Sequence, residues 1–261
     1  MSLDHPTNIV KSQTVSRDAF LGGRLMLLQP ASGFRAGLDS VLLGAAVGSA
    51  AGALLDLGAG VGTAGLVALI HRPGVRATLV ETEPQTVDLA RQNVADNGLS
   101  GRAEILAADV TATGSVRAAS GIEADHYVTV LANPPYFTAG QGTPPRGAGR
   151  AAARHMSAAA LDLWVRTAAA AAAPKAEIIF VAPAQTLAAL LAAFDARFGA
   201  ITVLPLLSRP GQPALRVLVR GIKGSRAPLT LLAGRPLHGP EGNAFLPEFE
   251  AILRGETTLV W

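Results

Sequence analysis

Cysteine is absent from the 261 residues, which excludes disulfides and thiolate metal sites and leaves no cysteine nucleophile. Charge is scarce as well, at 16% of residues against 49% hydrophobic, so the core is amply supplied and many helix surfaces should be faced with alanine. No apolar run is long enough to cross a bilayer. The least charged long stretch, Ser40 to Leu55, is shorter than a span and is broken by glycine and serine. Met1 to Asp18 carries Asp4, His5, Lys11 and Arg17 with no apolar run among them, so no signal peptide is expected there. The five histidines show no metal-ligand spacing, and no metal is expected. These absences together point to a cytoplasmic protein without membrane or metal partners. The formal net charge of +3, with a pI near 9.8, permits a nucleic-acid partner without requiring one. The length fits one large α/β domain or a domain with a small appendage. We place the expected boundary near residue 50, with 1–50 as an extension and 51–261 as the main domain.

What is present begins with Ala53-Leu-Leu-Asp-Leu-Gly-Ala-Gly-Val-Gly62, an apolar strand that runs straight into three glycines before a helix starts at Thr63. Glycines there let the backbone turn sharply and let a ligand approach the main chain, with helix N–H groups facing it. Glu81 ends the next strand, roughly 20 residues on, where an acid can take two ribose hydroxyls. The spacing alone does not separate a dinucleotide from S-adenosylmethionine. The acid before the first glycine, Asp56-x-Gly-x-Gly, leans towards the second. Asp109 follows a third strand, Ala103 to Ala107; it can accept the exocyclic amine of a bound adenine or cap the turn that follows.

Val128-Thr-Val-Leu-Ala132 is a fourth buried strand, rich in β-branched residues. Asn133-Pro-Pro-Tyr136 must end it, because neither proline has an N–H for a ladder. Asn133 is pushed towards extended backbone by the proline after it. The outcome is a rigid elbow that exposes an amide, free carbonyls and an aromatic ring. The Asn133 side-chain oxygen and the Pro134 carbonyl can each accept a hydrogen from one NH2 group, which holds the amine and favours a pyramidal nitrogen. Tyr136 offers a face for a base. Taken alone, the same tetrapeptide is equally an ordinary strand-ending turn.

Elsewhere, Phe20 to Gln29 reads as a hairpin around Gly22-Gly23, and Asp39 to Val47 as an apolar helix. Thr82-Glu-Pro-Gln85 has the form of a capping box opening a helix that ends at Asn97-Gly98. Thr138 to Arg154 is rich in glycine and proline and carries Arg146, Arg150 and Arg154, a loop suited to phosphate contacts or simply a solvated basic linker. Trp164 reads as core. Ala200 to Leu207 and Ala214 to Arg220 form an antiparallel pair, the second with the alternation of an edge-side strand, and Pro247 to Arg254 closes as a helix.

Leu55-Asp-Leu-Gly-Ala-Gly-Val-Gly, Val80-Glu81, Ala108-Asp109 and Asn133-Pro-Pro-Tyr136, in that order, resemble the class I S-adenosylmethionine-dependent methyltransferases that act on planar NH2 groups. Gln29-Pro-Ala-Ser-Gly-Phe-Arg-Ala-Gly-Leu-Asp-Ser-Val-Leu-Leu, His238 and Pro247-Glu-Phe-Glu-Ala-Ile-Leu-Arg-Gly narrow the likeness to the bacterial tRNA adenine-N6-methyltransferase group. The same tetrapeptide resembles that of protein-glutamine and DNA adenine methyltransferases, with close variants in rRNA guanine-N2 enzymes. The glutamine enzymes usually carry an N-terminal helical domain, where this chain has a short hairpin. The resemblance implies a Rossmann-like α/β fold with a seven-stranded, mostly parallel sheet, an antiparallel last strand and an N-terminal hairpin and helix. It also implies S-adenosylmethionine as cofactor and RNA, above all tRNA, as partner. Asp56, Gly58 and Gly60 would border the methionine half of the cofactor, Glu81 its ribose and Asp109 its adenine. Arg35, with Phe34 and Asp39, lies in the N-terminal motif that closes over the same pocket. Asn133, Pro134 and Tyr136 would be catalytic, with Asn133 also bordering the cofactor. Tyr136, Phe137, Arg146 and Arg150 would hold the substrate. The missing cysteine removes the nucleophile that pyrimidine C5-methylation requires.

Overall fold

The computed structural model describes residues 14–31, 35–48, 51–135 and 157–261. The chain opens with an antiparallel hairpin, β1 (Val15–Phe20) and β2 (Leu25–Pro30), turned by a short 3-10 segment at Leu21–Gly23. Helix α1 (Leu38–Ala45) follows. Strands and helices then alternate: β3 (Gly52–Leu57), α2 (Thr63–His71), β4 (Val75–Glu81), α3 (Pro84–Asp96), β5 (Ala103–Ala107), α4 (Gly114–Ala119) and β6 (Tyr127–Ala132). Next come α5 (Ala158–Ala171), β7 (Ala172–Pro183), α6 (Leu187–Asp195), β8 (Phe198–Leu207) and β9 (Ala214–Lys223). Two two-residue strands, β10 (Thr230–Leu231) and β11 (Arg235–Pro236), precede α7 (Pro247–Leu253).

The main sheet runs β10-β8-β9-β7-β6-β3-β4-β5, with β11 also on β8. Seven full strands carry it, as expected, and the two short ones only extend its β8 edge. β9 is antiparallel to both its neighbours, β7 and β8, while β3, β4, β5, β6 and β7 are mutually parallel. β9 therefore lies inside the sheet, and the edge-side reading of its alternation does not hold. Its arginines sit where Arg216 reaches Asp39 on α1 and Arg220 lies 4.6 Å from the centre of the Trp261 ring. Long side chains of this kind bury their stems against the sheet while their charged heads find partners, which imitates an exposed face in the sequence.

Helices cover both faces, as a parallel sheet requires. On one side Leu43, Leu66, Leu131 and Phe249 share a core with Leu21, Leu25 and Leu27 of the hairpin segment, so the N-terminal elements pack directly on the sheet. On the other, Leu161, Val165 and Phe194 pack against Val130 and Phe180, with Phe180, Phe194 and Phe198 meeting edge to face. The hairpin is anchored by two asparagines one turn apart, Asn93 on α3 and Asn97 at its C-terminal cap. Asn93 exchanges bonds with both backbone groups of Leu28, and Asn97 does the same with Met26, so their amides stand in for a neighbouring strand.

The chain order reverses across β3, which pairs with β4 on one side and β6 on the other. In open α/β sheets the crevice at such a reversal, beyond the carboxyl ends of the strands, is where ligands bind. Here it collects the glycine loop after β3, Glu81 at the end of β4 and Asn133 at the end of β6.

Candidate active site

A cavity of about 370 Å³ opens at that crevice. Its walls include Asp56, Gly58, Gly60, Glu81, Asp109 and Asn133, so six of the sequence-derived positions meet in one place. The glycine loop is shaped by sterics as well as by conformation. Gly58 has φ +64°, and a Cβ there would also run into the Trp164 ring. Trp164 is 7% exposed and forms part of the cavity wall. Reading it as core alone is therefore incomplete: it packs inside α5 and shows one edge to the site.

Each acid at the strand ends also serves the backbone. Asp56 Oδ2 accepts the Gly65 N–H at 2.8 Å, in the first turn of α2. It is 2% exposed, and burial, aided by the nearby charge of Glu81 and opposed by the Gly65 bond, pushes its pKa up to about 7. Glu81 Oε2 accepts Gly60 N–H at 3.0 Å, while Oε1 accepts the N–H of Thr82 and of Glu83 at 2.8 and 3.0 Å. Helix α3 thus starts after Glu83, with proline in its first turn and no side-chain cap from Thr82. The expected capping box does not form: Glu81 already holds the Thr82 N–H that Gln85 would have served, together with the N–H of Glu83. Asp109 Oδ1 accepts both the N–H and the hydroxyl of Thr111 at 2.7 Å, so it caps its turn and faces the cavity at once.

Asn133 is half-buried, and its Nδ2 donates to Ser40 Oγ on α1 at 3.4 Å. Pro135 is on the wall, whereas Pro134 is buried behind it. The N-terminal motif does reach the cavity, through Gln29, Pro30, Ala36 and Ser40. Arg35, expected at the cofactor, is not on the wall. It pairs with Asp18 at 2.6 Å and donates to Pro30 O, which ties the loop to the hairpin. Asp39 is likewise spent on Arg216, at 2.7 Å. Phe34, Tyr136, Phe137, Arg146, Arg150 and Arg154 lie outside the described residues. Among the described residues no cluster of His, Asp or Glu is placed to hold a metal, and no helix is long and apolar enough to cross a membrane.

The methyltransferase small domain family matches residues 38–188. The chain belongs to that family. A crystal structure from Agrobacterium tumefaciens, described as a predicted O-methyltransferase, superposes with a TM-score of 0.72 at 31% identity, covering 85% of this chain and 98% of that one. A tRNA1(Val) (adenine(37)-N6)-methyltransferase from Aeromonas hydrophila is 29% identical over 71% of this chain and 75% of its own. A release factor glutamine methyltransferase from Caulobacter vibrioides is 34% identical over 84 residues, 32% of this chain and 26% of its own length. The chain therefore spans between 26% and 75% of these two curated relatives. As a member of the methyltransferase small domain family, this protein is an S-adenosylmethionine-dependent methyltransferase with the expected Rossmann-like fold.

The donor set suits that cofactor. The cavity combines carboxylates at the ends of β3, β4 and β5 with open main chain at Gly60, where a Cβ would meet nothing within 4 Å. A ligand with a ribose and a cationic methionine end needs such acceptors beside open main chain.

Proposed function

We propose that this methyltransferase modifies an exocyclic amine of a nucleic-acid base, N6 of an adenine in tRNA, in the cytoplasm. The observation that carries the reading is that Asn133 lines the same cavity as Asp56, Gly58, Gly60, Glu81 and Asp109, which puts its amide beside the proposed cofactor site. An NH2 group brings two hydrogens, and the Asn133 oxygen and the Pro134 carbonyl would accept one each. Pro134 is buried and is not on the cavity wall, so the choice of nitrogen over oxygen rests on the Asn133 amide and on the likeness to the tRNA enzyme. The likeness to the Aeromonas hydrophila tRNA enzyme supports adenine in tRNA over the alternatives.

Bound S-adenosylmethionine would supply an electrophilic methyl group. Asp56, Gly58 and Gly60 would border its methionine half, Glu81 its ribose and Asp109 its adenine, with Trp164 walling the glycine loop. The protein's work is then positioning and hydrogen bonding of the amine, with no strong base required. The amine proton leaves after transfer, when the nitrogen is cationic and acidic. Tyr136 and Phe137 would stack the base, and Arg146 and Arg150 would meet phosphates.

The test is incubation with methyl-labelled cofactor and an unmodified valine tRNA transcript, followed by nucleoside analysis. Label in N6-methyladenosine is expected. Asn133→Ala should lose on the order of 10²-fold in single-turnover rate, the scale of one preorganised catalytic bond. Asn133→Asp, which keeps an acceptor of the same shape, should retain appreciable turnover. Label found instead in glutamine of a protein, in guanine N2 or in a hydroxyl would replace the substrate assigned here. An Asn133→Ala protein as fast as wild type would remove Asn133 from the chemistry.

A further inference from the structure

We propose that Asp56 is a proton-exchange site, where the cationic methionine end of S-adenosylmethionine replaces a proton that the carboxyl group carries in the ligand-free protein. The inference rests on the placement, given above, of Asp56 beside the methionine half of the cofactor. A carboxylate taken out of water needs a cation, several N–H donors or a proton. Asp56 is 2% exposed and has one N–H partner, Gly65 at 2.8 Å. Among the described residues no cation pairs with it: Arg35 is spent on Asp18 and Arg216 on Asp39. The charged groups near it are acids. Glu81 stands two residues beyond Leu79, the β4 residue paired with Asp56, and its charge opposes ionisation of Asp56. Asp109 shares the cavity wall. The other elements at this wall present groups that do not titrate: Asn133 after β6, Trp164 on α5 and Ser40 on α1.

A proton is therefore the counter-charge left to Asp56, and burial beside Glu81 raises its pKa to about 7. Glu81 differs in having three backbone N–H partners of its own. The cavity is where another counter-charge can enter. Asp56 is on its wall, and Oδ2 is committed to Gly65, which leaves Oδ1 for a ligand. S-adenosylmethionine carries an ammonium and a sulfonium against one carboxylate, so its methionine end is positive. Set against a buried carboxyl group, that charge favours the ionised form. The O–H bond of the carboxyl group breaks, its electron pair stays on the carboxylate, and the proton leaves to solvent. Below about pH 7 the cofactor must expel this proton to bind, so its affinity rises with pH, by up to about tenfold per unit, and levels off above. A ligand with the same nucleoside and no charged end leaves the proton where it is. The site thus reads the charge of the cofactor as well as its shape.

Two measurements decide the matter, and neither needs an RNA substrate. In protein with ¹³C-labelled aspartate, the Asp56 carboxyl resonance is identified by its loss in Asp56→Asn. It should titrate near pH 7 in ligand-free protein, and saturating S-adenosylmethionine should lower the midpoint by more than about one unit. A ligand-free midpoint in the ordinary carboxylate range, or one that the cofactor leaves in place, overturns the proposal. The second is calorimetry of cofactor binding at about pH 6 in buffers of different ionisation enthalpy. Wild type should release close to one proton more than Asp56→Asn, since ionisation of the ligand itself is common to both. With 5′-methylthioadenosine, which lacks the charged end, the two proteins should not differ. Equal release from the two proteins with S-adenosylmethionine, or the same excess with methylthioadenosine, overturns the exchange. At about pH 8 Asp56→Asn should bind S-adenosylmethionine roughly tenfold more weakly than wild type, the scale of one charge-assisted bond. An unchanged affinity there removes the methionine half from Asp56, and the exchange with it. A tenfold loss without proton release at about pH 6 removes the exchange alone and keeps the placement.

Discussion

Replacing Asp56 by asparagine should stabilise this protein, and the gain should depend on pH in a defined way. Asp56 is 2% exposed, and its pKa is raised from 3.8 to about 7, chiefly by burial. A raised pKa means that the folded protein holds the proton more tightly than the unfolded chain does. The stabilisation this gives is complete below pH 3.8 and is lost as pH rises through about 7. Each tenfold change in proton affinity is worth about 1.4 kcal/mol, so the whole shift amounts to on the order of 4 kcal/mol. Above pH 7 the ligand-free wild type therefore carries a buried carboxylate at that cost. Asparagine keeps an oxygen for the Gly65 N–H and does not titrate. The difference in unfolding free energy between the Asp56→Asn variant and wild type should grow from about pH 4 to about pH 7 and then level off. Titrating groups that do not interact with Asp56 cancel in that difference, and Glu81, whose charge raises the Asp56 pKa, cancels only in part. Urea or thermal unfolding of both ligand-free proteins at several pH values measures it, with roughly 2–4 °C in Tm expected per kcal/mol in a chain of this size. A difference that stays constant across the range would show that Asp56 is not held neutral, and the burial argument would be wrong.

Glu81→Ala should weaken binding of S-adenosylhomocysteine by roughly tenfold or more, from the loss of charge-assisted bonds, when followed by calorimetry. Unchanged affinity would leave Glu81 as a brace for Gly60, Thr82 and Glu83 alone. Trp164 and Trp261 are the two tryptophans of the chain, and only Trp164 walls the cavity. Trp261→Phe should therefore keep a fluorescence response to S-adenosylhomocysteine that Trp164→Phe lacks; a response surviving in the latter would move Trp164 off the wall.

Much of this fold and site is legible in the sequence alone, and the reason is local. Gly58 needs positive φ, a Pro-Pro pair must stop a β-branched run, and a βαβ unit fixes how far along the next strand-end acid appears. Each of those constraints lives within a few residues. Contacts between distant segments leave no such trace. Trp164 sits at a helical spacing that marks a buried face, but spacing cannot say that the face meets Gly58. Ser40 looks like one more small residue in an apolar helix until β6 brings Asn133 beside it. Asn93 looks like a solvent-facing helix residue, yet it is wholly buried, because β2 has an edge to satisfy. Arg35 departs from expectation for a related reason: a motif can be tied to a site while its charged member holds the motif together from behind.

The acids show how far a sequence reading of a ligand site can go. In a parallel sheet the loops leaving the carboxyl ends expose backbone N–H groups, so any carboxylate there is recruited by the main chain first. A carboxylate has about four lone-pair positions. Asp56 spends one on Gly65, and Asp109 spends two on Thr111. Glu81 spends three, on Gly60, Thr82 and Glu83. In its proposed role it could not accept two ribose hydroxyls on free positions alone, so one hydroxyl would share an oxygen with a backbone donor or displace it. Gly60 is the donor most open to displacement, since it stands on the cavity wall with space around it, whereas Thr82 and Glu83 lead directly into α3. On that reading the residue that shapes this loop is the one the cofactor would compete for, and cofactor affinity would reflect the difference between those two sets of bonds.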